Sequence, residues 1–142
     1  MVKVAPKIDS FKDRYRPIFD SLLTLNADSA LLFHCTGGKD RTGTAAALIE
    51  YALGVDQGQI IDDYVLTNQY RKKYNKVIAD MLVEKYKLPA KRVADYGIAK
   101  PAFMEATFDE ITKKYGSVAN FMKNELGLTD DKLALLRAKY LK

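Results

Sequence analysis

Apolar residues recur along this chain mostly at helical spacing. Phe11, Tyr15, Ile18, Phe19, Leu22 and Leu25 share one face of a 3.6-residue period behind an Asp9-Ser10 start signal, which predicts a helix over 11–25. Asn26-Ala27-Asp28-Ser29 breaks that pattern. Ala30-Leu31-Leu32-Phe33 is then a short continuous apolar run of the kind found in a buried strand, and 30–34 is the clearest strand in the chain, with Val2–Ala5 a weaker second. Strong helix formers follow from Thr44 to Ile49, with a stop at Gly54. Asp56-Gln57-Gly58-Gln59 reads as a capping box opening a helix whose buried face is Ile60, Ile61, Tyr64 and Val65. A long helix is expected from about Gln69 to Lys85, with Tyr70, Tyr74, Val77, Ile78, Met81 and Leu82 inside. Pro89 and Gly97 punctuate a linking region. Pro101 suits the first turn of a helix ending at Gly116, and Ser117 and Thr129 are N-cap candidates for two short terminal helices.

Composition narrows the class. A chain of 142 residues with 48% hydrophobic content can bury one core, so a single domain over 1–142 is expected. No apolar run approaches the length of a membrane span, and Met1–Pro6 lacks the apolar stretch of a secretion signal. The single cysteine excludes an intrachain disulfide and fits a reducing compartment, which makes the expected location cytoplasmic. The net charge of +5 favours acidic partners, phosphorylated ones included. No basic run is interleaved with stacking aromatics as in a nucleic-acid module. The sole histidine adjoins the sole cysteine, with no second cluster to complete a metal site. The Arg71-Lys72-Lys73 cluster with Lys76 could touch an acidic phospholipid headgroup or a phosphoprotein but reads first as the wet face of an amphipathic helix. Asp62, Asp63 and Asn68 read first as helix-surface or capping residues, with support of the loop from behind as the alternative.

Candidate chemistry lies in His34-Cys35-Thr36-Gly37-Gly38-Lys39-Asp40-Arg41-Thr42-Gly43, between the predicted strand and the helix after it. A loop at a helix N-terminus gathers unpaired N–H groups and the positive end of the dipole into one anion-binding concavity. In that setting a cysteine pKa falls from about 8.5 to roughly 3.5–7.5, which makes Cys35 a nucleophilic thiolate. Arg41 offers the planar fork that grips two phosphate oxygens. Gly37 and Gly38 permit positive φ and close backbone approach. Thr42 offers a hydroxyl to the sulfur. A nucleotide-binding Gly-x4-Gly-Lys loop is excluded, because Phe33 stands where its first glycine belongs and Asp40 follows Lys39.

Cys-x5-Arg-Thr resembles the signature loop of the cysteine-dependent protein tyrosine phosphatase superfamily, and the fuller His-Cys-Thr-Gly-Gly-Lys-Asp-Arg-Thr-Gly resembles its atypical bacterial and fungal branch. The likeness extends through Ala45–Leu53, Asp63-Tyr64-Val65-Leu66-Thr67-Asn68, Tyr115-Gly116-Ser117 and Leu126-Gly127-Leu128-Thr129. It implies an α/β fold of the phosphotyrosine-protein-phosphatase-like type, mostly helical here, around a strand–P-loop–helix core. It implies hydrolysis of phosphotyrosine, with phosphoserine, phosphothreonine or phosphoinositide as further substrates, through a phosphocysteine and without a metal or organic cofactor. Cys35 would be the nucleophile and Arg41 the phosphate binder, Thr42 would assist release of the thiolate, and His34 would help hold the loop. Thr36, Gly37, Gly38, Lys39 and Asp40 would complete the substrate cradle, with Lys39 either facing substrate or standing as a solvated cation. Asp40 is either the general acid or a loop-holding ion-pair partner, since Asp9, Asp13, Asp20 and Asp28 match no upstream acid loop of the family.

One departure stands out. The long N-terminal portion of the family, with its Asn-x-Arg-Asp-Leu-Gly-Gly type motif and several strands, has no counterpart here. A lone strand cannot satisfy its own backbone groups. The expectation is therefore a C-terminal portion of a phosphatase catalytic domain, or a short form whose missing strands come from a second copy or a partner chain. The alternative function is a phosphate-binding pseudophosphatase or subunit.

Overall fold

A computed structural model describes residues 8–141. A 3-10 turn at Ile8–Ser10 leads into eight helices: α1 (Phe11–Thr24), α2 (Asp40–Leu53), α3 (Gln57–Tyr70), α4 (Lys72–Tyr86), α5 (Ala90–Tyr96), α6 (Pro101–Tyr115), α7 (Val118–Asn124) and α8 (Asp130–Tyr140). Their boundaries follow local chemistry. Asp56 accepts from the N–H groups of Gly58 (2.9 Å) and Gln59 (3.2 Å) and so starts α3, and Ser117 caps α7 through the N–H of Asn120 (3.0 Å). Gly54, at φ +97°, ends α2 in the left-handed region that glycine enters without steric cost.

The core lies between α1, α2, α3, α6, α7 and α8. Phe11, Tyr15 and Phe19 of α1 meet Leu48 of α2, Ile60 of α3, Ile111 of α6, Phe121 of α7 and Leu136 of α8, all buried. Each such side chain contributes about 1.5–3 kcal/mol on removal from water. The last helix fastens the two that flank the loop. Lys139 donates to the carbonyls of Leu22 (2.9 Å) and Leu25, and Tyr140 to Leu22 (2.7 Å), at the C-terminal end of α1. Arg137 donates to the Ala52 carbonyl (3.0 Å) at the end of α2. Those carbonyls have no partner within their own helices, and cations suit that end of the dipole.

Two expectations are corrected. Residues 30–34 form no strand, and none occurs among the described residues. The segment keeps the two-residue alternation of a strand, because Leu31, Phe33 and Cys35 turn inward while Leu32 (86% exposed) and His34 face out. It has no neighbouring ladder to pair with, so the apolar pattern survives and the hydrogen bonds do not form. Val2–Ala5 lies outside the described residues. The second correction concerns 69–85. The helix breaks at Arg71, α4 buries none of its residues, and Tyr70, Tyr74, Val77 (66% exposed) and Met81 are exposed. Helical period identifies which residues share a face, but α4 packs mainly on α5 and the end of α3, which leaves that face largely uncovered. The linking region between Pro89 and Gly97 is itself helical, as α5.

Candidate active site

The inward phase of 31–35 delivers Cys35 to the N-terminus of α2. Lys39 is the cap residue and provides no side-chain cap, so the first-turn N–H groups remain available. Gly38 turns back at φ +63°, and its N–H donates to the Cys35 sulfur at 3.1 Å. Gly37 does not enter the positive-φ region, so only the second glycine of the pair is needed for conformation. Burial raises the Cys35 pKa, but the Thr42 hydroxyl and the N–H groups of Thr42, Gly38 and Gly37 outweigh it and bring the thiol down to about 6. A pKa of about 6 leaves roughly ten thiolates for each thiol at pH 7.

Thr42 carries a telling detail. Its hydroxyl is inaccessible to solvent and makes no hydrogen bond of ordinary geometry among the described residues. It stands beside the sulfur and is the strongest of the influences that lower its pKa. Arg41, exposed on the same turn, donates to the Thr36 hydroxyl at 3.1 Å across the loop. Beneath the loop, the buried Tyr15 hydroxyl donates to the Arg41 carbonyl at 3.4 Å. Burial, together with the nearby Cys35 charge, raises the Tyr15 pKa even though Thr44 and Arg14 oppose it, so its proton stays in place.

Asp40 opens α2 with its carboxylate mostly exposed, 3.7 Å from the Lys39 ammonium. Burial and then the Asp40 carboxylate push the Tyr64 hydroxyl up to about 12. Tyr64 approaches α2 closely because residue 43 is glycine: a Cβ there would stand 2.8 Å from two of its ring carbons. Lys39 lines the cavity but is not a solvated cation. It is 9% exposed, donates to the Ile98 carbonyl at 3.4 Å, and lies 5.9 Å from the Phe103 ring centre. The Ile98 segment is fixed in turn by Asn68, whose amide exchanges two hydrogen bonds with Ala99 (2.9 and 2.8 Å). Asn68 therefore clamps α3 to the linker before α6 that holds Lys39, which is the supporting role the sequence reading set second to a surface or capping one. His34 is exposed and forms no hydrogen bond among the described residues, so this geometry gives it no part in holding the loop.

Cys35, Thr36, Gly37, Lys39, Asp40 and Arg41 line one side of a cavity of about 360 Å³. The opposite wall comes from α4 and α5: Tyr74, Ile78, Leu82 and Val93, with Arg71 at the joint of α3 and α4. Arg71 was expected on a wet helix face together with Lys72, Lys73 and Lys76. Those three lysines are exposed, but Arg71 turns into the cavity, a placement that depends on the break in the helix and on no local pattern. Among the described residues Asp40 is the only carboxylate lining this cavity. Asp9 instead pairs with Lys114, and Asp20 with Arg16. A second, shallower concavity of about 390 Å³ opens behind Cys35, between α1 and the extended segment, and includes Arg14, Ile18 and Leu32. Among the described residues, no group of three or more His, Cys, Asp or Glu side chains is placed to hold a metal ion, and no helix is long and apolar enough to cross a membrane.

The chain is 34% identical over 132 residues to a putative tyrosine-protein phosphatase of Cupriavidus necator, covering 92% of this chain and 47% of that protein. It is 27% identical over 110 residues to the triple specificity protein phosphatase PtpB of Mycobacterium tuberculosis, covering 70% of this chain and 40% of that one. A tyrosine-protein phosphatase of Nostoc commune is 37% identical over 57 residues, covering 40% of this chain and 19% of that protein. The chain thus spans less than half the length of these curated relatives. Residues 2–142 match the tyrosine phosphatase family, and the chain belongs to it.

Proposed function

We propose that this chain carries the catalytic loop of a phosphoric monoester hydrolase acting on phosphotyrosine through a phosphocysteine. The observation that carries the reading is the Cys35 sulfur, held ionised by loop N–H groups and Thr42 at the floor of a cavity that also holds Arg41 and Asp40. Loop N–H groups and Arg41 bind the three non-bridging oxygens of the ester, as preorganised donors do for charge that spreads over a phosphoryl group. The Cys35 sulfur attacks phosphorus, the phosphorus–oxygen bond to the aryl group breaks, and Asp40 gives its proton to the departing oxygen. Water then attacks the phosphocysteine, Asp40 takes the proton back, and the sulfur leaves as a thiolate stabilised by the Thr42 hydroxyl. The assignment of Asp40 rests on its being the sole described carboxylate at the cavity.

The wall of Tyr74, Ile78, Leu82 and Val93 favours an aryl ester, since apolar surface across from the phosphate site buries a ring better than a serine or threonine side chain. The turning of Lys39 toward Ile98 favours phosphotyrosine over a phosphoinositide headgroup, because that ammonium is committed elsewhere. The names of the relatives in C. necator and N. commune support the same reaction.

Two variants test this reading. Cys35→Ser abolishes phosphate release from an aryl phosphate. Asp40→Asn leaves kcat/KM with a good leaving group nearly unchanged and lowers it about 10²–10⁴-fold with a poor one, while kcat falls for both because breakdown of the phosphocysteine is slowed. Protection of the fold by orthophosphate or vanadate without any hydrolysis, across mildly acidic to neutral pH, would replace this reading with that of a phosphate-binding subunit.

A further inference from the structure

We propose that Arg71 and Tyr74 form a second subsite beside the phosphate loop, which reads an acidic side chain next to the phosphotyrosine of a peptide substrate. This rests on the phosphotyrosine reading above and extends it to the sequence around the phosphorylated residue.

Arg71 follows the end of α3, where the chain breaks before α4. Its guanidinium carbon lies 4.9 Å from the centre of the Tyr74 ring, and its Nη1 stands 3.8 Å from the point where a Cβ on Gly37 would lie. It therefore sits at the rim of the loop and lines the same cavity as Cys35. Among the described residues its guanidinium makes no hydrogen bond and no ion pair. A half-buried guanidinium with its donors uncommitted, held over a ring, is preorganised for a planar anion.

The reacting phosphate does not need it. The loop N–H groups and Arg41 come from the loop and the first turn of α2, whereas Arg71 enters from another helix at the edge of that cradle. A second anion on the same ligand is the group it suits. The surroundings favour a peptide carboxylate over the further phosphates of an inositol ring. The wall beyond Arg71 is Tyr74, Ile78 and Leu82, which offers stacking and apolar contact, and the nearest loop cation, Lys39, is already bonded to Ile98 and Asp40. A ring bearing several phosphates would call for cations around the whole cavity.

The test uses the Cys35→Ser protein, which holds substrate without turning it over, and the fluorescence anisotropy of labelled phosphotyrosine peptides flanked by Glu, Ala or Lys. The Glu-flanked peptide should bind about five- to tenfold more tightly than the Ala-flanked one. Arg71→Gln should erase that ratio, and Arg71→Glu should reverse it in favour of the Lys-flanked peptide, an outcome that misfolding cannot mimic. A Glu preference that persists in Arg71→Gln overturns the proposal, as does an equal loss for all three peptides or the absence of binding by any of them. An Arg71-dependent gain seen only with a short-chain phosphoinositide bearing two phosphates would assign the subsite to a headgroup and overturn the peptide reading. Arg71-dependent discrimination in a chain that proves unable to hydrolyse aryl phosphates would refute the hydrolase reading alone.

Discussion

Replacing Thr42 by valine removes one oxygen from the site and leaves the shape of the side chain almost unchanged. The hydroxyl is fully shielded from solvent and engages no other group among the described residues, so its contribution goes to the neighbouring sulfur. A hydrogen bond to a charged group contributes about 1.5–3 kcal/mol, and one pH unit corresponds to about 1.4 kcal/mol. Its loss should therefore raise the Cys35 inflection by about 1–2 pH units, from about 6 to about 7–8. The pH dependence of alkylation by iodoacetamide, or of thiolate absorbance in the ultraviolet, reads that inflection directly. Below about pH 5, where the sulfur is protonated in both proteins, stability should move little, because a shape-matched apolar replacement is close to neutral. Above about pH 6 the thiolate loses its donor and stability should fall by about 1–2 kcal/mol. The pairing of outcomes is the test. An inflection that stays near 6 in Thr42→Val would show that the backbone N–H groups alone hold the thiolate. A large loss of stability below about pH 5 would show that the hydroxyl has a structural partner.

Three further outcomes follow from packing and charge. Gly43→Ala sets a Cβ 2.8 Å from the Tyr64 ring, an overpacking that should cost about 1–3 kcal/mol in urea denaturation and disturb Asp40 beside that ring. Burial and then the Asp63 carboxylate raise the Glu50 pKa from 4.5 to about 7. The folded chain therefore holds this proton where the unfolded chain has released it, and the stability it brings is complete below about pH 4.5 and is lost as pH rises through 7. Glu50→Gln should flatten the stability profile between those limits relative to the parent, and parallel profiles would contradict the pairing. Lys139→Met removes the cation that closes α1 and should cost about 1–2 kcal/mol, read as a lowered urea midpoint.

What the sequence reveals here depends on the range of the interaction concerned. Asp56, Ser117 and Gly54 act on groups two to four residues away, so their roles can be read without a fold. The loop around Cys35 is legible for the same reason: its donors lie within seven residues of the sulfur. The strand expected at 30–34 fails on a different ground, since alternation is a property of one segment and a ladder is a property of two. Likewise α4 has the periodicity of a buried helix, but nothing in its spacing tells what covers it. Arg71, Gly43 and Asn68 matter through contacts across the fold, with Gly37, Tyr64 and Ala99 in turn. Runs such as Arg71-Lys72-Lys73 look uniform in one dimension, yet a single break in the helix sends the first residue inward and leaves the other two in water. Lys39 shows the same limit: its loop position suggested a cation facing ligand or water, and its ammonium is instead bonded to the carbonyl of Ile98.

The most direct test of the account is to mix the chain with an aryl phosphate, quench within milliseconds in denaturant, and weigh the peptide that contains Cys35. A fraction of that peptide should carry the mass of one added phosphoryl group, rising in Asp40→Asn, where breakdown of the intermediate is slowed, and vanishing in Cys35→Ser. Phosphate release without any such adduct, or turnover that survives Cys35→Ser, would contradict it.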